Sequence, residues 1–276
     1  MNEKSTALRP PPWRLIFESA ALGVGFFLIH RHSLIEDSLN YDEIYSWTLD
    51  SGTWGALFQS VLNDTQQFLY FGALKLCTFA FPANNDYWIR IPSLIFGAAA
   101  CMVVYWHARL RVSEKMAGLT AALLLINPLW GGIATYCRPY ALLALLISIN
   151  LSLIHSWLDD QNQNPHQTMR EWGILITSGL IGFTHYIGLF YLFGALTALR
   201  ITGVRAGQWL HGPARIAWIG VSATLLVGCL IHQWQYRPFI SWVYDSGYSC
   251  PSSMSLALGC PLLLLGVGAN IAHFKH

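Results

Sequence analysis

Apolar stretches near residues 13–30, 88–108, 116–135, 139–158, 172–184, 186–200, 214–233 and 256–273 dominate the chain, most of them separated by short polar breaks. A hydrocarbon core of about 30 Å is crossed by roughly 20 helical residues. Inside it every backbone polar group must be satisfied within the protein, which leaves helices and closed barrels. Stretches of this length select helices. The composition agrees, since 54% hydrophobic and 11% charged residues fall outside the usual range for a soluble domain. The expected fold is therefore all-α: a polytopic transmembrane helical bundle of about eight spans, read as a single domain over residues 1–276 with juxtamembrane helices in its first outer loop.

Charge gives these spans a direction. Lys and Arg gather in short cytoplasmic loops, and Lys4, Arg9, Arg14, Arg109, Arg111, Lys115, Arg170, Arg200, Arg205, Arg215 and Lys275 all fall on one side if the apolar segment 68–81 does not cross. Both termini are then expected in the cytoplasm of a multi-pass inner-membrane protein. The loop 31–87 carries Glu36, Asp37, Asp42, Glu43, Asp50, Asp64 and Asp86 and faces the periplasm. Segment 68–81 lies along that outer surface, where Trp47, Trp54, Tyr70, Tyr87 and Trp88 suit the headgroup boundary. The apolar run beginning at Leu15 follows basic residues but lacks a convincing small-residue cleavage site, so it reads as a retained anchor.

Several function classes drop out. A net charge of +2 and the lack of any Lys/Arg-rich run argue against nucleic acid. The six cysteines show no CxxC spacing and read as small packing residues. No Gly-rich phosphate loop is present, so a soluble nucleotide-binding domain is not expected.

Three places combine polar chemistry with membrane depth. Tyr41-Asp42-Glu43-Ile44-Tyr45 follows the first span, and a carboxylate there suits a general base; an acidic pair at that place equally suits helix capping. Tyr136-Cys137-Arg138-Pro139-Tyr140 joins two spans on the outer side, with Pro139 suited to the first turn of the next helix. An arginine at the bilayer centre costs about 2.5–3.5 kcal/mol on insertion scales, so Arg138 needs a partner: lipid headgroups reached by snorkelling, or a phosphate gripped by its fork. The third is Thr184-His185-Tyr186. Each half of 172–200 reaches only about 20–22 Å, so its turn falls within the membrane, where irregular backbone must line an enclosed or watered cavity. His185 fits either a packing residue or a ligand to that cavity.

The order of these features, with Trp88-Ile89-Arg90-Ile91-Pro92-Ser93-Leu94 opening the second span and Arg138-Pro139-Tyr140-Ala141-Leu142 the fourth, resembles the GT-C glycosyltransferases related to protein O-mannosyltransferases and aminoarabinose transferases. The resemblance covers about residues 10–240. It implies transfer of a sugar from a polyprenyl-phosphate donor to an envelope lipid, glycan or protein acceptor, at a periplasmic site. By it, Asp42 matches the catalytic aspartate and Glu43 its acidic neighbour; Arg138, with Tyr140, lies at the donor phosphate; His185 and Tyr186 line the cavity. Gln66-Gln67-Phe68 stand where relatives show His-Pro-Pro, which leaves the acceptor contacts of Gln66 and Gln67, and any divalent metal, open. No other cofactor is implied. Relatives are longer, so a short member, a truncated product and an inactive remnant are all consistent with the chain. A transporter is the rival reading, since intramembrane ionisable residues and a broken helix suit one too.

Overall fold

The computed structural model describes residues 11–36, 38–62, 68–79, 86–159, 167–201 and 213–234. Among them are twelve helices and no strand: α1 (Pro12–His30), α2 (Ser33–Glu36), α3 (Tyr41–Ser51), α4 (Trp54–Leu62), α5 (Phe68–Thr78), α6 (Asp86–Arg111), α7 (Glu114–Ile126), α8 (Pro128–Thr135), α9 (Tyr140–Asp159), α10 (Gln167–Gly182), α11 (Ile187–Ile201) and α12 (Pro213–Trp234). The expected span at 256–273, Gln66, Gln67 and the remainder of the loop around them lie outside the described residues.

Three helices, α1, α6 and α9, are long and apolar enough to cross a membrane, and a fourth span results if α7 and α8, bent by 57° at their junction, count as one. About eight spans were expected from the sequence, with 172–184 and 186–200 as halves that turn within the membrane. The difference is one of length: α10 and α11 would reach about 24 and 22 Å, short of the hydrocarbon core, and the apolar part of α12 is confined to Arg215–Cys229. Segment α5, 11 residues long, is too short to span, in keeping with its expected place outside the count.

The described chain divides into two compact units, Met1–Ser51 with Tyr70–Ser156, and Gly52–Leu69 with Trp157–His276. In the first, α1, α6 and α8 share a core of Leu22, Phe26, Leu94, Ala98, Cys101 and Ala134. Close approach of α6 to α8 depends on Gly97, where a Cβ would come within 2.5 Å of the Ala134 methyl; small residues at such crossings replace the hydrophobic drive that lipid cannot supply. The α7–α8 bend is capped by Asn127, whose Oδ1 accepts from the amides of Leu129 (3.0 Å) and Trp130 (3.2 Å).

Two polar clusters mark opposite ends of this unit. At one, the start of α1, the end of α6 and the start of α7 meet: Arg14 pairs with Glu18 (2.6 Å) and Glu114 (2.8 Å), Arg109 with Glu114 (2.9 Å) and Glu18 (3.4 Å), and the Tyr105 hydroxyl donates to Glu18 (2.9 Å). Glu18 and Glu114 thus share the neutralisation of Arg14 and Arg109. At the other end, the α2–α3 loop, the start of α6 and the α8–α9 junction converge on Glu43.

In the second unit, α10 and α11 form a tight hairpin through residues 183–186. The turn closes because residue 188 is glycine: a Cβ there would sit 2.6 Å from the Ile181 side chain and 2.7 Å from its carbonyl oxygen. Glu171 of α10 pairs with Arg215 of α12 (2.7 Å) and accepts from the buried Trp157 indole (3.2 Å).

Candidate functional site

The site is assembled on the first turn of α3. Asn40 caps that helix by accepting from the Glu43 amide (3.1 Å), and the Glu43 carboxylate returns to the Asn40 amide (3.3 Å) and side-chain amide (3.1 Å). This reciprocal pairing is a capping box with asparagine at the cap. Asp42, one residue earlier, is turned by about 100° around the helix, so the two carboxylates face different surroundings.

Glu43 is completely buried. Its Oε1 accepts from Arg90 Nε (2.8 Å) and from the Cys137 amide (3.0 Å), and its Oε2 from Arg90 Nη2 (2.7 Å). Arg90, itself buried, also donates to the carbonyls of Leu34 and Ser38 (both 3.2 Å). One carboxylate therefore ties α3, α6 and the α8–α9 junction together, with the bidentate fork geometry that makes arginine–carboxylate pairs strong. Sequence reasoning passed over Arg90, although a lone arginine in an apolar run is the signal that finds such a residue.

Asp42 has the opposite character. Its side chain is 53% exposed, and its nearest charged partner is Arg138, with Nη2 and Oδ2 3.7 Å apart. That distance is an ion pair but not a hydrogen bond. Among the described residues the Asp42 carboxylate accepts no hydrogen bond. Arg138 is only 9% exposed at its side chain, and its Nε is buried without a hydrogen-bond partner. A guanidinium carries five N–H donors, and native interiors rarely leave such groups unsatisfied without a functional reason.

The backbone places Arg138 deliberately. Its amide donates to the Tyr136 carbonyl (2.7 Å) in a tight turn, the Cys137 amide is held by Glu43, and the Pro139 carbonyl accepts from Leu143 (2.9 Å) to start α9. Below the turn the Tyr70 hydroxyl pairs with Ser93 (2.9 Å) and donates to the Cys137 sulfur (3.5 Å). Burial pushes the Cys137 thiol up to about 12, which keeps it a packing group rather than a nucleophile. Burial, then the carboxylates of Asp42 and Glu43, raise the half-buried Tyr136 phenol. Tyr140 occupies the first position of α9 and is half-buried.

Asp42, Glu43, Arg138 and Tyr140 thus belong to one unit. His185 and Tyr186 belong to the other, in the α10–α11 turn, with rings 6.3 Å apart. There the His185 Nδ1 accepts from the Ile187 amide (3.1 Å) and its carbonyl accepts from Gly188 (2.9 Å), so the residue caps the start of α11. Among the described residues no three His, Cys, Asp or Glu side chains converge to hold a metal ion. No family model, curated protein or solved structure matches the chain.

Proposed function

We propose that the protein is a membrane glycosyltransferase of GT-C type that takes its sugar from a polyprenyl-phosphate donor. The observation that carries the reading is the pairing of a half-exposed Asp42 with a buried Arg138 whose Nε, among the described residues, has no hydrogen-bond partner. These are the two groups that such a transfer needs in one place.

Asp42 removes the proton from an acceptor hydroxyl as that oxygen attacks the anomeric carbon, and the bond from that carbon to the phosphate oxygen breaks with inversion. Arg138 stabilises the charge that develops on the leaving polyprenyl phosphate. Tyr140 is assigned to the donor side by the resemblance alone. Glu43, expected from the sequence to share the catalytic role, has its lone pairs committed to Arg90, Cys137 and Asn40, and in this reading it positions the turn that carries Arg138. His185 and Tyr186 are assigned to the substrate cavity by the resemblance alone. The lipid tail of the donor stays in the bilayer, which fits a chain with spanning helices and no Gly-rich phosphate loop.

Asp42→Asn should lower transfer from a radiolabelled polyprenyl-phosphate sugar by about 10²–10⁴-fold, the usual worth of a positioned base, with the fold intact. Full activity in that variant would remove Asp42 from its role. A transporter is favoured by one observation, the 57° break between α7 and α8, a feature of helices that line transport sites. Uptake of solute by proteoliposomes without sugar transfer would decide for it.

A further inference from the structure

We propose that Asp42 and the donor's phosphate compete for Arg138, so that donor binding is the event that frees the Asp42 carboxylate for the acceptor. The inference rests on the transferase reading and adds to it an order of events: donor first, acceptor second.

The geometry at the pair carries it. At 3.7 Å Asp42 supplies counter-charge to Arg138 but satisfies none of its N–H groups. A phosphate does both, because two of its oxygens match the guanidinium fork at about 2.7–2.9 Å. Glu43 cannot take over as counter-ion, since it is buried and held by Arg90, the Cys137 amide and Asn40. Among the described residues the carboxylate paired with Arg138 is that of Asp42, held at a distance too long for a hydrogen bond, and a phosphate is the better partner. The exposures are also asymmetric in the useful direction. Arg138 is fixed in the protein by burial and by the turn at residues 136–138, whereas Asp42, more than half exposed, is the member able to swing away.

Competition of this kind is reciprocal: whatever the phosphate does to Asp42, Asp42 does to phosphate affinity. A carboxylate that turns away from the arginine and the phosphate leaves phosphate affinity nearly unchanged when neutralised, and one that organises the site weakens it. Competition predicts the opposite sign.

The test is equilibrium binding of sugar-free polyprenyl phosphate to the purified full chain in detergent micelles, with inorganic phosphate as a parallel probe. Asp42→Asn should bind the lipid phosphate at least about fivefold more tightly than the wild type, and Arg138→Gln should lose that binding. Tightening with inorganic phosphate as well assigns the competition to the anion itself, and tightening with the lipid alone assigns it to the lipid-borne phosphate; either supports the inference. Equal or weaker binding by Asp42→Asn, with Arg138→Gln still defective, overturns the competition and leaves the transferase reading standing. No binding of polyprenyl phosphate by any of the three proteins overturns both.

Discussion

Glu43→Gln separates a framework role from a catalytic one most cleanly, because the substitution keeps shape and removes only charge. In the wild type, Oε1 accepts from Arg90 Nε and the Cys137 amide, while Oε2 accepts from Arg90 Nη2 and from the Asn40 amide and side chain. A carboxamide keeps one acceptor oxygen and turns the other into a donor, so in either orientation at least two N–H groups meet an N–H. Arg90 is left buried without its counter-charge. Removing one partner of a buried pair costs about 3–5 kcal/mol, a large share of the roughly 5–15 kcal/mol that holds most folds together. The expected result is a fall in melting temperature on the order of 10 °C. It can be followed in detergent by reaction of a thiol-specific dye with the buried Cys101 and Cys137, which become accessible on unfolding. The double variant Glu43→Gln with Arg90→Gln should be less damaged than Glu43→Gln alone, since the penalty lies in the orphaned charge. A Glu43→Gln melt within about 2 °C of the wild type would refute the argument.

Two further outcomes follow from the structure. Trp47, on the outward face of α3 with Tyr41 and Ile44, should have its fluorescence quenched by brominated acyl chains in reconstituted vesicles, in a Trp-depleted background; quenching only by an aqueous quencher would remove α3 from the lipid boundary. Gly188→Ala forces a methyl into contact with the Ile181 carbonyl and should destabilise the α10–α11 hairpin by about 1–3 kcal/mol, read as faster proteolysis at residues 183–186; unchanged proteolysis would show that the turn can relax.

Helix positions were legible because apolar length and breakers state them directly. The stretches near 13–30, 88–108 and 139–158 became α1, α6 and α9 with ends shifted by a few residues, and 116–135 became α7 and α8, broken at Asn127-Pro128 where the sequence carries both a cap and a helix starter. The reading of 172–200 as two helices around Thr184-His185-Tyr186 also matches, since each half is too short to cross and the turn between them had to fall near residue 185. What the sequence withheld is which polar residues pair. Arg90 sits 47 residues from Glu43, and Arg14 sits 100 from Glu114; no periodicity connects residues so far apart. Likewise the tight Tyr136–Arg138 turn depends on a carboxylate from α3, so the depth of Arg138 could not be read from its own neighbours.

The neighbouring carboxylates on α3 show why ordinary amphipathic reasoning misleads in such a chain. Glu43, Ser46 and Asp50 recur at helical spacing and are buried with Leu49, while Tyr41, Ile44 and Trp47 form the exposed face. In water the rule would run the other way, with the aromatic face packed inward and the acids solvated. Where the surroundings are lipid, an outward aromatic face costs nothing and an outward charge is expensive, so the polar face turns in and must find partners there. Glu43 finds all of them. Asp42 lies in line with the buried Ser46 and Leu49, four and seven residues on, but in the first turn of the helix, where it meets Arg138 and its side chain is still 53% exposed. A carboxylate with that position is the one that a substrate can reach without dismantling the fold, so in the proposed reading the chemistry falls to Asp42 and the architecture to Glu43.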